Sequence, residues 1–129
     1  MDLKRGGSTL YVRKSVRTLA GMGDATCLDV ANIALNPKIR GRGWFTAFLG
    51  VIDAVNPWDA TYIEAVRNPR LASFLPKHGF LELPHENFYL PSKRWRERHG
   101  WSAEAEDAAK RLIQEHWPKP FLLDFDFNS

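Results

Sequence analysis

The sequence IALNPKIRGRGWFT, residues 33–46, leads from an apolar segment through a glycine-rich turn into a helix. Backbone N–H groups are free in the first turn of a helix, and Gly41 and Gly43 let an anionic group come close to them. Arg40 and Arg42 place two guanidinium groups beside the same turn. The stretch therefore predicts a pyrophosphate-binding turn. It is not a Walker loop, because no Gly-Lys-Ser/Thr follows, and it lacks a complete Gly-x-Gly-x-x-Gly motif.

Strands and helices are predicted on both sides of this turn. The predicted strands cover residues 9–19, 26–35, 60–66 and 80–90, and the predicted helices cover residues 44–55 and 69–78. A turn at 21–24 joins the first two strands into an antiparallel pair. A strand–helix–strand connection makes parallel neighbours, so the order ββαβαβ predicts a mixed sheet.

The segment after residue 90 is predicted to be an appendage of the same α/β domain, which we place at 1–129 with its core at about 9–90. Residues 94–98 are interpreted as a cationic connector. Ser102 is a suitable N-cap for a helix on which Ala105, Ala109, Leu112 and His116 share one stripe. The alternating tail at 121–127 favours either a strand added to a sheet edge, a contact with a second copy or a partner chain, or simple packing on the domain.

Length and composition exclude several classes of protein. The chain has 129 residues, 44% of them hydrophobic, which suits one packed domain. Its single cysteine, Cys27, excludes an internal disulfide, and no set of metal ligands is apparent, so we expect this thiol to be a buried apolar residue. With neither a secretory peptide nor an apolar run long enough to span a bilayer, the protein is expected in the cytoplasm.

Positive charge is concentrated at the start of the chain. Residues 1–50 carry eight Lys/Arg and three Asp/Glu, whereas residues 101–129 carry three and six. A nucleic-acid partner and a phosphate-bearing cofactor explain this asymmetry equally well.

Two segments together resemble the signatures of the GNAT (Gcn5-related) N-acetyltransferases. Residues 33–46 are similar to the family's acetyl-CoA loop, with Lys38, Gly41 and Gly43 at its motif positions. Residues 68–80, which run from Asn68 to Phe80, are similar to the second signature, and Asn68 precedes Gly79 by eleven residues as in the family. The resemblance covers about residues 9–90 and is greatest to small members common in bacteriophage genomes. It implies a GNAT-like mixed, splayed β-sheet flanked by helices, shortened at its N-terminus, with a C-terminal helical extension.

The resemblance also implies a cofactor, acetyl-CoA, and the residues that bind it. Backbone amides from Arg40 to Phe45 would bind its pyrophosphate, and the strand edge at Ile33 and Leu35 would pair with its pantetheine arm. Asn68 would contact the same arm, and Phe74 would lie near the cofactor. The full set of implied cofactor-binding residues is Ile33, Leu35, Lys38, Arg40, Gly41, Arg42, Gly43, Trp44, Phe45, Thr46, Asn68 and Phe74.

Transfer of an acetyl group to an amine needs a group that removes the amine proton. Glu64 is the best placed carboxylate beside the expected splay, with Asn32, Asp29 and Tyr62 as lesser candidates. An ion pair of Glu64 with Arg67 or Arg70 is the equally weighted alternative. Leu75 stands where most family members have a tyrosine that protonates the leaving thiolate.

Three functions are compatible with these observations. The first is an acetyl-CoA-dependent N-acetyltransferase acting on an amine, with the amine on a protein of the host cell. The second is a GNAT-fold binding module that occupies a host protein with little or no catalysis. The third, attachment to nucleic acid through Arg13, Lys14, Arg17 and the cations of 94–98, is disfavoured because acids are interspersed among these cations.

Overall fold

The chain forms a six-stranded sheet with helices on both faces. The computed structural model describes residues 2–5, 8–34, 44–64 and 69–116, and for 2–5, 8–10, 32–34, 44–45 and 69–70 it describes the backbone alone. The strands are β1 (Asp2–Arg5), β2 (Ser8–Leu19), β3 (Gly23–Ala34), β4 (Ala60–Ile63), β5 (Leu81–Leu83) and β6 (Asn87–Pro91). The helices are α1 (Trp44–Val55), α2 (Pro69–Lys77), α3 (Lys93–His99) and α4 (Ala103–His116).

The sheet is mixed, as the order of predicted elements required. Its strand order is β1-β2-β3-β4-β6-β5. The two central strands, β3 and β4, are parallel and are joined through α1, whereas every other neighbouring pair is antiparallel. The N-terminal segment, expected to precede the first strand, itself contributes β1, which pairs with β2. β1 lies at the sheet edge, where charged residues such as Lys4 and Arg5 are common. It has four residues, which are too few to show a clear strand pattern in the sequence.

A tight hairpin connects β2 and β3. Leu19 is paired with Gly23, and the amide of Met22 donates to the carbonyl of Leu19 at 3.0 Å. The turn therefore occupies residues 20–22, and Gly23 begins the strand rather than lying within a turn at 21–24. Gly21, with a φ of 79°, provides the left-handed backbone that this short connection requires.

Alternate residues of the strands supply two apolar clusters, one on each face of the sheet. Helices α1 and α2 cover the first face through Leu49, Leu71 and Leu75, which pack with strand residues such as Val30 and Ile63. Helix α4 covers the second face through Ala109 and Ile113. Cys27 lies in the second cluster with no exposed surface, as expected for a buried thiol.

Two sequence predictions for the second half of the fold are wrong in detail. Residues 80–90 form two strands instead of one, because a 3-10 turn at 84–86 with left-handed backbone at His85 and Glu86 interrupts them. The connector predicted at 94–98 is helix α3, whose first turn is capped by the Ser92 hydroxyl. Helix α4 buries Ala109 and Ile113, while Leu112 and His116 are exposed.

Candidate functional site

In the part of the chain that the structure describes, the two parallel central strands pair over four residues. Cys27–Val30 of β3 lie beside Ala60–Ile63 of β4, and the Glu64 amide donates to the Val30 carbonyl at 3.0 Å. Beyond that point β3 continues to Ala34 along β2. Within the described residues, the opposite edge of 31–34 has no strand partner. Within the described residues the sheet is therefore open on one side of β3 at the carboxyl ends of the parallel strands, and this feature is called the opening between β3 and β4.

An irregularity in β3 marks the same place. Tyr11 pairs with Ala31 and Thr9 pairs with Ala34, so β3 carries one more residue than β2 between these two pairs. An extra residue of this kind bends a strand and increases its twist, and such bulges are frequent beside functional sites. The bulge lies just beyond the last described pair between β3 and β4, which joins Val30 and Ile63.

A polar cluster lies on the sheet face that α4 also covers, beside this opening. Its members are Arg13, Ser15, Arg17, Asp29, Tyr62 and Glu64. The register explains how three strands bring them together, since Arg13 is opposite Asp29 and Asp29 is opposite Tyr62. Residues two apart on a strand share a face, which adds the remaining members to the same side.

Asp29 is the buried centre of the polar cluster. Its side chain has no exposed surface, and its carboxylate accepts from Ser15 Oγ at 2.7 Å. Arg17 Nη2 donates to Oδ2 at 2.8 Å, and Arg13 Nε donates to the same oxygen at 3.3 Å. A buried carboxylate needs such donors because burial removes its hydration.

Glu64 lies further out and shares both arginines. Its Oε1 accepts from Nη2 of Arg13 and from Nη2 of Arg17, each at 2.5 Å. Within the described residues, the ion-pair partners of Glu64 are these two arginines of β2. Arg67 and the side chain of Arg70, the partners that the sequence suggests, lie outside the described residues. The side chain of Glu64 remains 22% exposed, so it is accessible from solvent.

The charges of the polar cluster affect how its members titrate. The hydrogen bond to Asp29 and the nearby Glu64 raise the pKa of Arg13. Burial works against the charge of Arg17, but the bond to Asp29 and the surrounding negative groups outweigh it and raise that pKa as well. Burial also raises the pKa of Tyr62, whose ring lies 3.8 Å from the Arg17 guanidinium carbon. At neutral pH both guanidiniums are charged and the phenol keeps its proton.

The predicted cofactor residues lie partly within the described structure. Ile33 is at the open end of β3, where the catalytic candidate Asn32 is its neighbour. Trp44 and Phe45 begin α1, and Thr46 is exposed in the same first turn, which holds no acidic residue. Leu35, Lys38, Arg40, Gly41, Arg42, Gly43 and Asn68 lie outside the described residues, as do Arg67 and the tail at 121–127.

The two residues of helix α2 that the sequence analysis named, Phe74 and Leu75, differ in exposure. Phe74 is half-buried against the first apolar cluster, and its ring stacks on the exposed His78 with 3.8 Å between ring centroids. Leu75 has no exposed surface and packs within the same cluster. A side chain at position 75 therefore points into the core of the described structure.

Sequence reasoning did not recognise Arg13, Ser15 and Arg17 as one site. The signal was present, because these residues alternate along one strand and so share a face. A hairpin that pairs Leu19 with Gly23 places Arg13 directly opposite Asp29. The sequence did not establish which residues form the turn between β2 and β3. A shift of one residue in the strand pairing moves every side chain to the other face of the sheet.

Comparison with known proteins supports the fold. No known family model matches the sequence, and no curated protein is similar to it. The structure of AtaT complexed with acetyl-methionyl-tRNAfMet is similar, with a TM-score of 0.54 and 14% identity over 70% of this chain and 65% of AtaT. A mutant of the AtaT toxin bound to the C-terminus of the antitoxin AtaR and acetyl-CoA matches with a TM-score of 0.50 and 16% identity over 73% of this chain.

This chain spans 65% of the length of each of these two AtaT chains. The shared architecture confirms the predicted GNAT-like fold, with its mixed sheet flanked by helices. In the part of the chain that the structure describes, no helix is long and apolar enough to cross a membrane.

Proposed function

We propose that this protein is an acetyl-CoA-dependent N-acetyltransferase. The observation that carries the proposal is the opening between β3 and β4, which lies beside a solvent-accessible carboxylate within a GNAT-like fold. The AtaT structure that contains acetyl-CoA has the same fold and supports the choice of cofactor.

The described residues fit the parts of acetyl-CoA. The unpaired edge of 31–34 offers backbone N–H and C=O groups to an extended arm that contains amides, as an added strand would be bound. N–H groups in the first turn of a helix have no partner within that helix, and the first turn of α1 holds no acidic residue, which suits a phosphate. In this proposal Ile33 binds the pantetheine arm, and Thr46 lies at the phosphates together with the predicted residues of 38–43.

Bound acetyl-CoA would supply a thioester whose acetyl group is transferred to the acceptor nitrogen. Glu64 removes the proton that this nitrogen must lose. Its Oε1 is held by Arg13 and Arg17, and its other oxygen makes no bond within the described residues. The two guanidiniums hold the carboxylate in position by charge-assisted hydrogen bonds, with its second oxygen available to the acceptor nitrogen.

The kind of molecule that carries the acceptor amine is inferred from the sequence and from one comparison. The sequence favours an amine on a protein, and the side chain of Glu64 is accessible from solvent. AtaT is solved with acetyl-methionyl-tRNAfMet, which makes an amine carried on RNA a second acceptor class. Because these classes differ in what becomes labelled, one transfer experiment distinguishes them.

A non-catalytic binding module is the second candidate function. It is favoured by one observation, the complete burial of Leu75 at the position where the resemblance leads one to expect a proton-donating tyrosine. In that case the protein would bind acetyl-CoA, or only its macromolecular partner, and would not transfer the acetyl group.

The first test measures cofactor binding by titration calorimetry. Acetyl-CoA is expected to bind with low micromolar to submillimolar affinity, and Gly41→Glu should abolish binding by placing an acid at the phosphates. Gly50→Glu is the matched control, because Gly50 lies on the exposed side of α1 with open space around it. Unchanged affinity in a folded Gly41→Glu variant would contradict the proposed phosphate site.

The second test measures transfer of radiolabelled acetyl groups to cell extract. Labelled protein or labelled RNA would support the enzyme and identify its acceptor class. Acetyl-CoA binding without label in either fraction would favour the binding module.

A further inference from the structure

A second cleft lies away from the opening between β3 and β4. Eight residues line it: Thr26, Pro57, Trp58, Asp59, Arg94, Trp95, Arg98 and His99. It lies beside the amino ends of β3 and β4, whereas the proposed transfer site is at their carboxyl ends. Thr26 and Val30 are four strand residues apart, so the two sites are separated by about 13 Å along the sheet.

Cations outnumber acids in this cleft, because Arg94 and Arg98 line it together with one carboxylate, Asp59. The Asp59 carboxylate accepts from the Thr26 amide at 2.9 Å. On the flank of α3, Arg96 binds Asp53 through both nitrogens, at 3.1 and 2.7 Å, which neutralises both groups. Arg98 is exposed and makes no ion pair within the described residues.

Two indole rings lie among these cations. The Lys14 ammonium is 5.4 Å from the centroid of the Trp58 ring. Trp95 stacks on His99 with 4.5 Å between ring centroids. Both tryptophans are only partly buried, so part of each ring remains accessible. Cations interleaved with accessible aromatic rings are typical of surfaces that bind single-stranded nucleic acid, where rings stack on bases and cations contact phosphates.

We infer that this cleft binds single-stranded RNA. An acidic peptide would use the cations but has no need of the two indoles, and a duplex keeps its bases stacked away from such rings. The remaining acid favours ribose, because Asp59 Oδ1 makes no bond within the described residues and is an acceptor for a 2′-hydroxyl. The inference does not require acetyl transfer, since the cleft is separate from Glu64.

The experiment measures the binding of a fluorescent 12-nucleotide RNA by anisotropy over a series of salt concentrations. Lys14→Gln/Arg98→Gln removes two cations that form no ion pair with any described residue, so the fold should remain intact. Each lost phosphate contact on a single strand lowers the salt slope by about 0.7, so affinity should fall about 25-fold at roughly 0.1 M salt. Lys77→Gln/Arg111→Gln, which removes two exposed cations on α2 and α4, should bind nearly as wild type.

Further probes test the assignment to RNA and to this cleft. Trp58→Leu should weaken binding without changing the salt slope, because it removes a stacking surface but no charge. Equal binding of DNA of the same sequence, or of a glutamate-rich peptide, would contradict the assignment to RNA. Equal losses in the two double variants would show that only net charge matters and would overturn the proposed cleft. Calorimetry with acetyl-CoA should give the same affinity for all these variants.

Discussion

Nη2 of Arg17 donates to Asp29 at 2.8 Å, so an arginine of β2 neutralises a carboxylate that β3 holds without any exposed surface. The same nitrogen reaches Glu64, which extends the link to the residue that follows β4. One guanidinium thus connects three consecutive parts of the sheet at the opening between β3 and β4. The two acids share their donors but differ in burial, so loss of charge should affect stability at Asp29 and acetyl transfer at Glu64.

Replacement of the buried acid, Asp29→Asn, should reduce stability by about 1–3 kcal/mol. The amide keeps the shape but presents N–H groups to donors and leaves part of the arginine charge uncompensated. Urea denaturation measures the effect. Asp24→Asn is the control, since Asp24 is an exposed carboxylate of the same strand and should change stability by less than about 0.5 kcal/mol. Equal effects would show that Asp29 has no special role in stability.

Replacement of the accessible acid, Glu64→Gln, should reduce acetyl transfer by about 100-fold or more, because the amide cannot take a proton. Acetyl-CoA affinity should not change, since the substituted side chain retains an oxygen that accepts from both arginines. Glu82→Gln, at an exposed carboxylate of β5, provides the matched control. If wild-type protein transfers acetyl groups and the variant does so equally well, Glu64 is not the base.

The sequence predicted those elements whose pattern of apolar and polar residues has a single interpretation. The strand at 26–35 and the helix at 44–55 were predictable because their apolar spacing is regular and proline ends each segment. Helix α3 was missed because its four Lys and Arg residues outnumber its single apolar residue, Trp95, so it has no amphipathic stripe. The polar cluster was missed because it depends on strand register, which the short β2–β3 turn sets and composition does not reveal.

Introduction of the family's tyrosine, Leu75→Tyr, should reduce stability by about 1–3 kcal/mol and should not increase acetyl transfer. Leu75 is completely buried among Leu71, Ile63 and other apolar side chains, so a larger ring overpacks the core. Leu75→Met, which nearly conserves volume, should cost less than about 1.5 kcal/mol. Thermal unfolding compares the two. A stable and faster Leu75→Tyr variant would show that position 75 faces the reaction.

Stability should fall between about pH 9 and 11 in a manner that depends on Cys27. Burial raises the pKa of this thiol from 9.0 to about 11, with a further contribution from Asp29. The folded state therefore favours the protonated form, and its contribution is complete below pH 9 and is lost as pH rises to the folded value. This rise in the pKa of the Cys27 thiol corresponds to about 2–3 kcal/mol of the free energy of unfolding.

Cys27→Ala isolates this effect, because Tyr62 and Tyr89, whose pKa values burial also raises, titrate in both proteins. The difference in unfolding free energy between wild type and variant should change across this pH range and be constant below it. A constant difference throughout would mean that the folded thiol ionises normally.

The packing of α4 against the β2–β3 hairpin can be tested with two glycines of that hairpin, one in the turn and one at the start of β3. Gly21 and Gly23 both have left-handed backbone, with φ of 79° and 75°, so alanine costs about 1–2 kcal/mol of backbone strain at either position. A Cβ at Gly21 would also lie 3.1 Å from Ala109 Cβ and from the Trp101 ring, whereas a Cβ at Gly23 has nothing within 4 Å. Gly21→Ala should therefore be the more destabilising by about 1 kcal/mol or more.

Urea denaturation of both variants measures that difference, and Trp101 fluorescence should report a disturbed environment in Gly21→Ala alone. If the two alanine variants were equally stable, the contact between α4 and the hairpin would not contribute to stability, because backbone strain is common to both.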